Sequence, residues 1–189
     1  MKQRIRSLRS ARISAVWLSL ASFAAGGLAQ SSFKAQLPMA ITSCGQSPDA
    51  YAVSLLCKRA KLEHTYENVL KADGLKGVKT LVVVTGGSAK GLGEAGIDEK
   101  GELERVKSLL TAAKAHGIKV IAVHIGGESR RGPLSDKFIE PVIAKADCLI
   151  ATEDGNKDGL FTKTARSRRI PLTVVKQTAE AGKELKSVF

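Results

Sequence analysis

Hydrophobic and polar positions along the chain switch between two periods. Short apolar runs recur at Met39–Thr42, Lys79–Thr85, Lys119–Ile125, Cys148–Thr152 and Pro171–Val175. The run Leu81-Val82-Val83-Val84 has no polar interruption and is rich in β-branched residues, the pattern of a parallel strand buried on both faces. Between these runs the apolar positions fall at helical spacing. After Ser47-Pro48-Asp49, residues Ala52, Val53, Leu56 and Ala60 line one face of a predicted helix. Ser47 is expected to cap it, with Pro48 at its first position and Asp49 at the positive end of its dipole. Leu103, Val106, Leu109, Leu110 and Ala113 form the inward stripe of a helix over Asp98–His116, stopped by Gly117. Further helices are predicted over Ser135–Ala146, kinked or shortened by Pro141, over Gly159–Arg168 and over Thr178–Val188. His64–Val69 reads as a short edge strand.

Strands alternating with helices of this length predict right-handed βαβ units. The fold class is therefore α/β: a single three-layer domain, Rossmann-like or flavodoxin-like, with a mostly parallel sheet of about five or six strands. The two strand orders fit the pattern equally well. Either one gathers the loops leaving the carboxyl ends of the strands at one edge, where open α/β sheets bind ligands.

The chain upstream reads differently. A basic stretch from Met1 to Arg12 leads into an apolar run, Ile13–Ala25, and then to small residues at Gly27 and Ala29. That order is a cleavable signal peptide over residues 1–29, and the run is shorter than the roughly 20 residues a membrane-spanning helix needs. The expected mature chain starts near Gln30, with a flexible N-terminus over 30–36 and the α/β domain over 37–189. Its expected location is periplasmic or secreted.

Charge modifies this picture little. The formal net charge is +12, but Lys2, Arg4, Arg6, Arg9 and Arg12 precede the domain with no acid among them, and subtracting those five leaves +7. A moderately basic domain favours anionic ligands. Aromatic residues make up only 4% of the chain, too few for a nucleobase-stacking platform, so no nucleic-acid partner is expected.

Four loops rich in glycine and polar residues follow the predicted strands. The first, Ser43-Cys44-Gly45-Gln46-Ser47-Pro48-Asp49, offers Gln46, Ser47 and Asp49. The second, Gly86–Gly96, offers Ser88 and Lys90. The third, Gly126–Gly132, offers Glu128, Arg130 and Arg131, with His124 at the strand end before it. The fourth, Glu153–Gly159, offers Asn156, Lys157 and Asp158. Each loop leads towards a helix, so backbone N–H groups and these side chains are expected to converge on a small anion. The plainer alternative is ordinary turn chemistry with solvated charges.

Thr85-Gly86-Gly87-Ser88-Ala89-Lys90-Gly91-Leu92-Gly93 matches the TGxxxGxG cofactor loop of short-chain dehydrogenases. Glu94-Ala95-Gly96-Ile97 then separates the last glycine from the next helical periodicity, whereas that glycine should lie inside a helix start. The Tyr-x-x-x-Lys pair is also missing, because Leu55 follows Tyr51 and Leu70 follows Tyr66 at that spacing. No nicotinamide, and no other cofactor, is expected. Cys44 stands before a helix N-terminus, which would lower its pKa and suit a nucleophile. A Cys-x5-Arg phosphatase loop is excluded by Ala50. Cys57 and Cys148 read as small buried hydrophobes, with a disulfide between them conceivable in an oxidising compartment. His64, His116 and His124 have no metal-ligand spacing, so no metal is expected. His116 suits a helix C-terminus, and a hydrogen-bonded structural role competes with a site role for His124.

Several stretches together resemble one family. They are Thr42–Asp49, Ser88–Gly93, His124–Glu128, Arg130–Gly132, Ser135–Phe138 and Gly155–Phe161. The likeness is to an uncharacterised exported bacterial family, domain of unknown function 6305, and covers roughly Leu37 to Phe189. It implies a small secreted Rossmann-like domain and no substrate. The function expected from the residues is an extracytoplasmic binding protein for a small anionic ligand, acting by free capture or by presentation to a membrane transporter or another exported protein. The alternatives are a periplasmic hydrolase or transferase, with Asp49 or Glu128 as base and Arg130 steadying charge, and a structural partner module of a membrane complex.

Overall fold

The computed structural model describes residues 33–189, so the signal peptide read over 1–29 lies outside the described residues. Six strands form one all-parallel sheet: β1 (Met39–Cys44), β2 (Thr65–Tyr66), β3 (Thr80–Thr85), β4 (Lys119–His124), β5 (Cys148–Thr152) and β6 (Leu172–Val175). Their spatial order is β2-β1-β3-β4-β5-β6. This is the flavodoxin-like order 2-1-3-4-5 with one strand added. β1 lies between β2 and β3, so the chain reverses its direction of winding there.

The helices are α1 (Asp49–Arg59), α2 (Ala89–Glu94), α3 (Glu99–Ala115), α4 (Pro133–Ile143), α5 (Leu160–Arg168) and α6 (Ala181–Ser187). Strand side chains alternate between two cores. Leu81 and Val83 face α3, α4 and α5, where Val106, Leu109, Phe138, Ile139 and Phe161 pack. Val82 and Val84 face α1 and α6, where Val53, Cys57 and Leu185 pack. Both faces of the sheet are covered, which is why its central strands carry no polar alternation.

Several elements differ from the expectation. Pro48 takes the cap position of α1 and Ser47 makes no capping bond; its hydroxyl donates to Asp49 at 3.0 Å instead. The buried face of α1 is Ala50, Val53, Ser54 and Cys57 rather than the row through Ala52 and Leu56. Ser54 is tolerated there because its hydroxyl pairs with His64 Nε2 at 2.8 Å. α4 begins at Pro133, before the expected Ser135, and keeps Pro141 within it. Of the stretch read as a flexible N-terminus, the described part is packed. Ala35 is buried and its N–H donates to Val188 O, while Gln36 exchanges two hydrogen bonds with Thr80 Oγ1. All three cysteines are free and buried.

Candidate functional site

The first loop is shaped by two successive left-handed residues, Gly45 at φ +94° and Gln46 at φ +58°. Gly45 needs to be glycine: a Cβ would lie 2.6 Å from Gly86 O. Gln46 is a side-chain-bearing residue in strained backbone, which persists only when its surroundings over-determine it. Here they do. Its amide Nε2 donates to Glu102 Oε1 at 2.9 Å and to Asn68 O at 3.3 Å, and its Oε1 accepts from Asn68 Nδ2. Its backbone also bridges to Gly87.

Glu102 comes from α3 and is fully buried, with Gly45 N–H donating to its Oε1 at 2.9 Å. Arg105, one turn on, donates to it at 2.8 and 2.9 Å. The same guanidinium donates to Ser43 O at 2.6 Å and Leu70 O at 2.7 Å. A buried ion pair thus ties the ends of β1 and of the β2 loop to α3. Neither residue was among the candidates. The available signal was a carboxylate at 102 on the same stripe as Val106, Leu109 and Ala113, three residues before an arginine.

The second loop contains a short helix that periodicity does not predict. Ser88 caps α2, accepting from Gly91 N–H at 3.1 Å, so both Gly91 and Gly93 lie inside it. This corrects the expectation that a gap separates the motif from a helix. The glycine serves packing: a Cβ on Gly91 would come within 1.9 Å of Gln46 O. The first loop fills the space over this helix start.

Between these loops, at the β1/β3 reversal, lies a cavity of about 460 Å³. Gln46, Ser47 and Pro48 line it from the first loop, and Tyr66, Asn68 and Val69 from the segment after β2. Ser88, Lys90, Gly91, Glu94 and Ala95 line it from the second loop, and Arg130 reaches it from beyond β4. Open α/β sheets bind ligands at this crevice. Arg130 is steered there by Gly87 O, which accepts from Nη1 at 3.3 Å, and by Asp49, whose Oδ2 lies 4.0 Å from Nε. Asp49 does not line the cavity; it stands behind Arg130, accepting from Ser47. Gly126 makes room for both, since a Cβ there would meet Arg130 Cγ at 2.2 Å and Asp49 Oδ2 at 2.5 Å.

The remaining candidates do not reach this cavity, so the expected four-loop convergence is not what forms. Arg131 donates bidentately to Asp158 at 3.0 and 2.8 Å, to Asp136 at 2.7 Å and to Gly155 O at 2.6 Å. It also lies over the Phe161 ring. Pairing with Arg131 holds the Asp158 carboxyl down to about 2. Lys157 pairs with Glu128, and Asn156 caps α5 by accepting from Phe161 N–H. Arg131 and Asp158 bond neighbouring loops together, and Asn156 is tied to the start of α5, so none of the three is a free ligand group. Because β4 and β5 are adjacent, these loops find each other.

His124 is also structural in position. It is fully buried, stacked on Phe161, with Nδ1 3.1 Å from Thr85 O and Nε2 3.2 Å from Gly127 O. Burial lowers its pKa below the ordinary 6.5. On acidification the unfolded chain therefore takes up the proton first. Stability is full above the unfolded value and falls as pH drops through it, by at most about 1.4 kcal/mol per pH unit, until folded His124 itself protonates. Chemical denaturation from about pH 7 down to about pH 5 should show this loss in the wild type and a shallower slope in His124→Gln. Equal slopes would show that His124 is not the group responsible.

Cys44 is no activated nucleophile. It is fully buried, its thiol donates to Phe138 O at 3.2 Å, and burial, with the Glu102 charge adding, pushes its pKa up. Burial raises Cys57 to about 11 and Cys148 to about 12. Among the described residues no group of three or more His, Cys, Asp or Glu is placed to hold a metal ion.

No curated protein matches the chain, and no solved structure does. One family does match, over residues 36–189, which takes in the whole sheet, all six helices and the crevice between β1 and β3. The chain belongs to this family, described as a domain of unknown function (DUF6305).

Proposed function

We propose that the protein is an exported binding protein for a small ligand carrying a carboxylate or phosphate, held in the crevice between β1 and β3. The observation that carries this reading is the pairing of the cations along the edge. Arg131 and Lys137, outside the cavity, sit 2.7–2.9 Å from their carboxylates, and Lys157 is also in direct contact with its own. The two that line the cavity are loosely held: Lys90 lies 3.7 Å from Glu94 and Arg130 lies 4.0 Å from Asp49. An anionic group can take those cations without breaking a tight bond. Ser88, Gln46 and Asn68 supply polar contacts, and Tyr66, Val69 and Ala95 supply an apolar wall, the mixed lining of a small-molecule site. Its 460 Å³ suits a metabolite-sized ligand rather than a polymer. Export rests on the order of residues 1–29, and a single α/β domain, with no second lobe among the described residues, suits presentation to a membrane transporter or another exported partner.

The test is a thermal-shift screen of carboxylates and phosphates, followed by titration of the best binder into Arg130→Gln. A charge-assisted pair contributes about 1.5–3 kcal/mol, so the variant should bind roughly tenfold or more weakly. Its melting temperature should stay near that of the wild type, because the pair it loses is long and partly exposed. Undiminished affinity places the ligand elsewhere. Arg131→Gln should do the reverse, losing stability through the four hydrogen bonds by which it ties the loops together, while affinity changes little.

A further inference from the structure

On the α1/α6 face the surface carries a second feature, unrelated to the crevice. A groove of about 590 Å³ runs between the C-terminal half of α1 and α6. Its floor is Leu56, Ala60, Ala179 and Gly182, and its charged lining is Arg59, Lys61, Lys183 and Lys186, with no acid. The helices come this close because residue 182 is glycine; a Cβ would lie 2.9 Å from Leu56 O. All four cations are exposed, and among the described residues none of them is within ion-pairing distance of a carboxylate. This contrasts with the ligand edge, where Lys90, Arg130, Arg131, Lys137 and Lys157 each have a carboxylate partner.

Helix dipoles do not explain the cluster. They favour Arg59 and Lys186 in last turns, but Lys183 stands in the first turn of α6, where a cation is disfavoured. Lys61 holds a left-handed position, φ +55°, just past α1. Glycine fills the matching positions after α2 and α3, at Gly96 and Gly117. A lysine there keeps charge at the expense of backbone ease. Beside the groove, the outer row of α1 exposes Tyr51 and Leu55 at 54% and 38%, two turns and one turn before Arg59. Basic residues mixed with exposed leucine and tyrosine on one helical face are the composition of an interfacial membrane contact. A nucleic acid would find the charges but no use for the apolar row, and an acidic protein partner is an outcome of the test below.

We infer that the α1/α6 face docks on an anionic phospholipid surface, with Arg59, Lys61, Lys183 and Lys186 over the headgroups. The full chain is sedimented with phosphatidylcholine vesicles containing or lacking phosphatidylglycerol; the five cations of residues 1–12 add to the anionic component equally in every variant, so the docking face is read from the comparison between variants. Each cation near such a surface contributes on the order of 1 kcal/mol. Lys183→Glu with Lys186→Glu should therefore reduce phosphatidylglycerol-dependent binding at least about tenfold. Lys137→Glu with Lys157→Glu makes the same change in net charge at the other edge and should leave binding within about twofold. Lys61→Gly should raise the melting temperature while weakening vesicle binding, which separates docking from folding. Three results would overturn the inference: no dependence on phosphatidylglycerol, equal losses in the two charge reversals, or displacement from vesicles by polyglutamate at equal charge concentration.

Discussion

Replacing Arg105 with methionine is expected to remove about 3–5 kcal/mol of folding stability, the range for stripping one partner from a buried ion pair. Methionine keeps the length and apolar stem, so the loss is electrostatic. Glu102, fully buried, would be left with Gly45 N–H and Gln46 Nε2 as donors and no cation beside it. Ser43 O and Leu70 O would lose their charged donor as well. Adding Glu102→Leu should recover part of the loss, because the orphaned carboxyl goes with it, although Gly45 and Gln46 then lack their acceptor. Urea unfolding followed by far-UV circular dichroism reads both variants, since the only tryptophan, Trp17, lies upstream of the domain. A cost below about 1 kcal/mol for Arg105→Met would mean that the pair does not hold the loops.

Two glycines of one helix should respond to alanine with opposite signs. In Gly91→Ala the new methyl would sit 1.9 Å from the Gln46 carbonyl oxygen, and backbone cannot rotate away as a side chain can. The first loop must move, at a cost of about 1–3 kcal/mol or more, and the crevice changes shape with it. Gly93 has nothing within 4 Å of the same methyl and lies in helical backbone. Gly93→Ala should then gain about 0.5–1 kcal/mol. Thermal melts of the two variants check this directly. A cofactor loop would behave otherwise, because there both glycines would be needed against the bound phosphates rather than one against the chain.

The parallel strands were legible because their residues are buried on both faces, and runs such as Leu81–Val84 admit few other readings. The strand order was not: nothing in one strand states its neighbour, and the reversal at β1 follows from pairing alone. α2 escaped because six residues with two glycines give no hydrophobic period. The face of α1 was misread because Ser54 and Cys57 take core positions that polar and thiol side chains do not advertise. Ser54 is paid for by His64, ten residues away.

The site was legible as loops and not as a network. Gln46, Ser47, Ser88, Lys90 and Arg130 do meet around one cavity. Arg131, Asp158 and Lys157 looked equally free in sequence, yet the adjacency of β4 and β5 brings carboxylates to both basic residues. Glu102, Arg105 and Asn68 hold the crevice from elements whose proximity only the fold creates. Tyr66 was missed for the same reason, since its segment does not stand out before β2 is placed; Glu94 lies in the second loop but reaches the cavity only through the turn of α2.

Amide chemical-shift mapping with the best-binding anion tests the central claim most directly, because it locates the ligand without presupposing its identity. The largest shifts should fall on residues 46–48, 66–69, 88–95 and Arg130, the walls of the crevice between β1 and β3. Shifts centred instead on residues 153–160, or on α6, would contradict the account and move the ligand away from the crevice.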